Sequence, residues 1–232
     1  MKKYLSIILV TILLVSFVTG CKKTNSAAPK DYTPSIKDKT WWGMFTYTGK
    51  DAEYYSVHFN ANNTLLWSQF SGDFTGQWAI NGKTLTITFD ISKAAIKAGI
   101  SDDDKLLNIT DNTGNFEINT GQLIANSNTP LDNTLWEGKP VLASGLYGYQ
   151  IKFMPALKIT IQETYFIPPS LYQSYLYPDN PYNRSAAGAV IRSSYNNGGA
   201  GASSIFFGII ISGTEMRGSI KNYNNQWKVT KL

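Results

Sequence analysis

Residues 84–90 read TLTITFD, with Leu85, Ile87 and Phe89 falling on one side and Thr84, Thr86 and Thr88 on the other. A two-residue period belongs to an extended strand with one dry face and one wet face. The stretch LKITIQ (157–162) repeats it, setting Leu157, Ile159 and Ile161 against Lys158, Thr160 and Gln162. Asn62-Asn63, Asn81-Gly82, Asn112-Thr113-Gly114 and Asn224-Asn225 supply turn chemistry between such runs. Many short strands with one wet face predict an all-β, antiparallel barrel or sandwich. The best helix signal is DISKAAIKAG (90–99), with Ser92 as N-cap and Gly99 as stop, so one short helix is expected there.

The chain also echoes itself. Trp41-Trp42-Gly43 returns as Trp136-Glu137-Gly138, and Tyr55-Ser56-Val57-His58-Phe59 returns as Tyr149-Gln150-Ile151-Lys152-Phe153. A hairpin pattern, Ile80-Asn81-Gly82 followed by Leu85, is matched by Ile211-Ser212-Gly213 followed by Met216. Three echoes in one order predict two tandem modules, 39–130 and 131–232. The tyrosine-to-isoleucine spacing is 25 residues in the first copy and 62 in the second, which predicts a Tyr/Pro-rich insertion over 163–203.

At the other end of the chain, Lys2 and Lys3 precede an apolar run from Leu5 to Val18, the order of an export signal. The run is shorter than the ~20 residues a membrane-crossing helix needs. It ends at Val18-Thr19-Gly20-Cys21, and Cys21 is the only cysteine. This resembles the lipobox of bacterial lipoproteins, which implies cleavage after residue 20 and acylation (palmitate-type chains) of Cys21. Two or more acyl chains, at ~0.8 kcal/mol per buried methylene, anchor a protein stably. Residues 21–38 are polar, small and proline-bearing, and are expected to be a flexible tether. Loss of the signal leaves 19 basic and 16 acidic residues, a net charge of about +3 without a basic cluster beyond Lys22-Lys23. That argues against a nucleic-acid partner.

A lipobox cysteine, a tether, W-x-G, Y-x-[VI]-x-F, then FTGQWAINGKTLTITF (74–89) and a closing MRGSIKNYNNQWKVTKL (216–232) together resemble the small lipocalin-like lipoproteins of Bacteroidota. The likeness spans most of 40–90 and 133–232. It implies antiparallel barrels that enclose a small apolar ligand, held by lipid in the outer membrane and facing the periplasm or the cell surface.

Catalytic chemistry finds little footing. His58 is the only histidine and alternates with Val57 and Phe59, which places it on the wet side of its strand. Metal sites need several ligands, and the consecutive Asp102, Asp103 and Asp104 do not follow the alternate spacing of a calcium loop. Asp73, Asp90, Glu137 and Glu163 lie near strands without a spacing that pairs them as glycosidase carboxylates. The glycine-rich Tyr195–Ser204 lacks a phosphate-gripping Gly-Lys-Ser. We expect neither enzyme activity, metal nor cofactor.

The aromatics carry more. Trp41 and Trp136 read as structural plugs at W-x-G openings. Trp67, Trp78 and Phe89 are candidates to line an apolar cavity. The stretch TYFIPPSLYQSYLYPDNPYNRS (164–185) offers Tyr172, Tyr175, Tyr177 and Tyr182 on a proline-stiffened loop suited to recognition. The expected function is a non-catalytic envelope lipoprotein that binds a small apolar ligand. The alternative is an adhesion or assembly module that meets a glycan or protein through that loop. A dry cavity around the tryptophans favours the first, and a filled interior with exposed tyrosines favours the second.

Overall fold

The computed structural model describes residues 29–47, 49–111, 116–118, 121–125, 128–142, 146–168, 171–196 and 203–232. The signal segment and Cys21 lie outside these, as do residues 197–202 of the glycine-rich stretch.

Strands β1 (Lys39–Tyr47), β2 (Glu53–Phe59), β3 (Thr64–Gln69), β4 (Gly72–Asn81), β5 (Thr84–Phe89), β6 (Ala95–Ile100) and β7 (Leu106–Asp111) pair with their neighbours in chain order. Two short pieces, β8 (Phe116–Ile118) and β9 (Gly121–Leu123), both run antiparallel along β1 and make the eighth wall position. Pairing of β1 with both β2 and β9 closes the ring. A second closed barrel follows from β10 (Leu135–Leu142), β11 (Leu146–Met154), β12 (Lys158–Ile167), β13 (Leu171–Ser185), β14 (Val190–Asn196), β15 (Ser203–Ile210), β16 (Glu215–Ile220) and β17 (Asn222–Lys231). The protein is therefore all-β, with two tandem eight-stranded antiparallel barrels of lipocalin-like form.

The two W-x-G and Y-x-[VI]-x-F echoes occupy equivalent places to the residue. Gly43 faces Tyr55 between β1 and β2, and Gly138 faces Tyr149 between β10 and β11. The glycine has a steric reason: a Cβ at Gly138 would run into the Lys228 carbonyl of β17. The third echo is not equivalent. Ile80 ends at the turn between the fourth and fifth strands of its barrel, whereas Ile211 stands between the sixth and seventh. The excess spacing is thus no insertion. Much of 163–203 forms ordinary wall, the third, fourth and fifth strands of the second barrel, and the match reflects turn chemistry common to hairpins.

The expected helix is a strand. Ile96, Ala98 and Ile100 on β6 all point inward and are buried, and Ile87 on β5 faces Ile96. Pairing and burial outweigh the helix preference of three alanines, a preference worth only tenths of a kcal/mol per residue. Ser92 instead accepts a bond from the Ala94 amide in the preceding turn. Among the described residues a short helix, α1 (Thr33–Ile36), carries Pro34 in its first turn and lies inside the segment expected to be a tether. Tyr32 and Ile36 are buried in the first core, and the Tyr32 hydroxyl donates to Asp102 at 3.1 Å, so ordered packing begins before Lys39. Two smaller corrections follow from turn geometry. Leu157 sits exposed in the β11–β12 turn at φ 56°, and Asn224-Asn225 runs within β17.

Both interiors are packed with rings. In the first barrel Tyr55 stacks on Trp67 at 4.2 Å, and Phe45 meets both edge-on at 6.1 and 6.0 Å. In the second, Phe206 stacks on Trp227 at 5.0 Å and Phe153 meets Trp136 and Tyr182. Each buried ring contributes about 1.5–3 kcal/mol. The barrels adhere through a separate apolar seam in which Trp42, Tyr54 and Ile124 meet Val190, Phe207 and Ile209. Arg192 clasps it, donating to the Gln69 and Phe70 carbonyls at 2.7 and 3.0 Å and pairing with Asp73 at 3.0 Å.

Candidate functional site at the mouth of the second barrel

Extending the inward row of β12 beyond Ile159 and Ile161 brings Glu163 and then Tyr165 to the barrel's interior. Glu163 is 0% exposed, and in register it lies between Tyr149 of β11 and Tyr175 of β13. An unpaired carboxylate in such a place costs several kcal/mol. Four donors meet this one. Its Oε2 accepts from Lys221 Nζ at 2.5 Å, from the Tyr165 hydroxyl at 2.8 Å and from the Tyr177 hydroxyl at 3.4 Å. Its Oε1 accepts from the Tyr195 hydroxyl at 3.2 Å.

Lys221 comes from the β16–β17 turn, where it holds a left-handed φ of 65°. Such a backbone is unfavourable for a residue with a side chain and is retained where its surroundings fix it. Lys221 Nζ also donates to the Tyr165 hydroxyl at 2.8 Å, which commits two of its three protons among the described residues. Burial alone would lower this ammonium, but Glu163 and Tyr165 outweigh it, and Lys221 is held above its ordinary value. The tyrosines move the same way. Burial and then the charge of Glu163 push Tyr177 up to about 12 and push Tyr149 and Tyr195 higher still. These phenols are donors, not bases. Tyr149 adds an unspent group, since its buried hydroxyl has no hydrogen-bond partner among the described residues.

Above this floor opens a cleft of about 500 Å³ lined by Tyr165, Ile167, Gln173, Tyr175, Tyr177 and Lys221. Its walls come from the β12–β13 hairpin, which presents apolar residues on both faces. The combination suits a ligand with a flat or apolar body for the rings and one acceptor for the remaining Lys221 proton.

The sequence candidates separate. Tyr175 and Tyr177 line this cleft, while Tyr172 turns to the outer face of the hairpin, opposite Phe166. Tyr182 is 3% exposed and packs edge-on to Phe153 at 5.4 Å, so it is core and not rim. Trp67 and Phe89 meet at 5.7 Å beside a smaller cleft of about 190 Å³ with Phe74 and Ile91. Trp78 is not with them. It packs against Phe59 and donates to the Asn60 carbonyl at 3.1 Å. The expected proline-stiffened loop is strand β13, which accommodates Pro178 by a register shift beside Asp179 at φ 56°. His58 does point outward, but burial in the seam pushes it below its ordinary value, and its Nδ1 lies 2.9 Å from the Thr40 hydroxyl. The described residues hold no group of three or more His, Cys, Asp or Glu placed to bind a metal.

From the sequence Glu163 stands only as one of four unpaired carboxylates, and Lys221 is passed over. The first had a signal, a charge at an inward position of the β12 period. The second had none, because a turn residue is brought to the mouth only by barrel closure.

Fold and site together define a tandem-barrel protein with an aromatic cleft over a buried ion pair. Comparison with protein-family models, with curated proteins and with solved structures finds no match for this chain.

Proposed function

We propose that this chain is a lipid-anchored, non-catalytic binding protein of the cell envelope, tethered through Cys21 to the outer membrane. Its ligand is a small molecule with an apolar or aromatic body and one hydrogen-bond acceptor, seated at the mouth of the second barrel. The observation that carries this reading is the cleft of Tyr165, Tyr175 and Tyr177 standing over Lys221 and Glu163. Ring-filled interiors favour binding at the rim over the enclosed site suggested by the lipocalin-like resemblance. A hydrolytic reading gains no support from the four carboxylates, each held by a different partner: Asp73 by Arg192, Asp90 by Thr75, Glu137 by Gln150 and Glu163 by Lys221.

A second reading, an adhesion or assembly module, is favoured by one further observation. Leu171, Tyr172 and Leu176 on the protruding hairpin are all more than half exposed.

Solvent extraction of protein purified from its own cell, followed by mass spectrometry, tests the first reading. Wild type should yield a stoichiometric small molecule, and Tyr175→Ala or Gln173→Ala should yield none. Equal recovery from all three, or nothing from wild type, counts against it. For the anchor, Cys21→Ser should move the protein to the soluble fraction on cell lysis, and continued sedimentation with membranes would contradict lipidation.

A further inference from the structure

Across the outer wall of the second barrel, Thr230, Glu137, Gln150 and Gln162 stand in register on four adjacent strands. At ~4.8 Å between strands the row is roughly 14 Å long. It forms the floor of a trough of about 470 Å³, separate from the mouth cleft and on the opposite face of the β12–β13 hairpin. We propose that this trough binds a neutral oligosaccharide segment.

The floor has the matching chemistry. A sugar hydroxyl both donates and accepts, and so do the amides of Gln150 and Gln162 and the hydroxyl of Thr230. The Glu137 carboxylate already accepts from the Gln150 amide at 2.6 Å, which fixes both side chains before any ligand arrives. In the next row Thr164 and Ser174 hydroxyls lie 3.0 Å apart, and Gly148 contributes no side chain, so the floor stays open at its centre. Glu137 is balanced by Lys139 at the same trough, which favours an uncharged ligand.

The Tyr147 ring lines the trough, and two rings beside it brace it. Tyr147 and Tyr172 are 49% and 54% exposed and meet edge-on at 4.8 Å, and Phe166 lies 5.3 Å from Tyr172. Lys139 sits 5.7 Å over the Tyr147 ring. Rings already braced against one another lose little freedom on binding and offer an apolar face to the C–H side of a sugar. An extended peptide fits less well. The strands at this row are paired on both sides, so the backbone offers no edge for strand addition. A purely apolar ligand would cover the amide row and leave its buried polar groups unpaired, which is unfavourable.

The test is an array of neutral and acidic oligosaccharides of four to six sugars probed with the Cys21→Ser chain, followed by calorimetric titration of the hits. At least one neutral chain should bind. Tyr172→Ala and Gln162→Ala should each weaken it at least tenfold with unchanged circular dichroism, while Tyr175→Ala in the mouth cleft leaves it within twofold. Because Tyr175→Ala is the variant that empties the mouth, loss of one site is distinguishable from loss of the other. Binding of acidic chains alone, of none, or binding insensitive to both trough substitutions overturns the proposal.

Discussion

Two glutamates show how far a barrel sets the behaviour of single residues. Glu53, at the start of β2, is pushed up to about 7 by burial, against which the Phe70 amide is only a partial counterweight. Its folded-state proton affinity exceeds that of the unfolded chain, so it keeps its proton on folding between about pH 4.5 and 7. Stability therefore falls as pH rises through that window and stays reduced above it. Glu53→Gln should flatten that slope and raise stability at pH 8 by about 1–2 kcal/mol, read by urea unfolding at pH 4.5, 6 and 8. An unchanged pH profile would show that Glu53 is ionised in the folded protein. Glu163 differs in being met by four donors. Lys221→Met strands it and should cost about 3 kcal/mol, whereas Lys221→Met with Glu163→Leu should recover most of that loss. A double variant no more stable than the single one would contradict the pairing.

At the scale of the element, alternation was legible wherever one face of a strand is dry. Leu85 and Ile87 of β5 and Ile159 and Ile161 of β12 point inward as their spacing predicts. The W-x-G and tyrosine echoes translated directly into strand register, because a close strand crossing leaves only glycine at Gly138. Gly138→Ala should accordingly cost about 3 kcal/mol and lower the unfolding midpoint sharply. A shift within error would mean that the β10–β17 crossing relaxes freely. Reading failed where local preference and pairing disagreed. Three alanines in and just before β6 signalled a helix that sheet closure overrides, and the prolines of β13 signalled a loop where a bulge suffices. The site residues were half visible. Tyr175 and Tyr177 announced themselves by composition, but the split of the tyrosines between two faces depends on strand parity through a bulge. Lys221 depends on closure of the ring.

For the whole molecule, two ring-filled barrels joined by an apolar seam leave little interior space for a ligand and place the accessible chemistry on one hairpin. Its inner face overlies the Glu163–Lys221 pair, and its outer face walls the amide row. The most direct measurement of this arrangement is two-dimensional NMR of the Cys21→Ser chain, with solvent extract from protein purified from its own cell added stepwise. Shift changes are expected at Tyr165, Tyr175, Tyr177 and Lys221, with Trp136, Phe153 and Phe206 undisturbed. Changes centred on those interior rings or on the first barrel, or no changes at all, would contradict it.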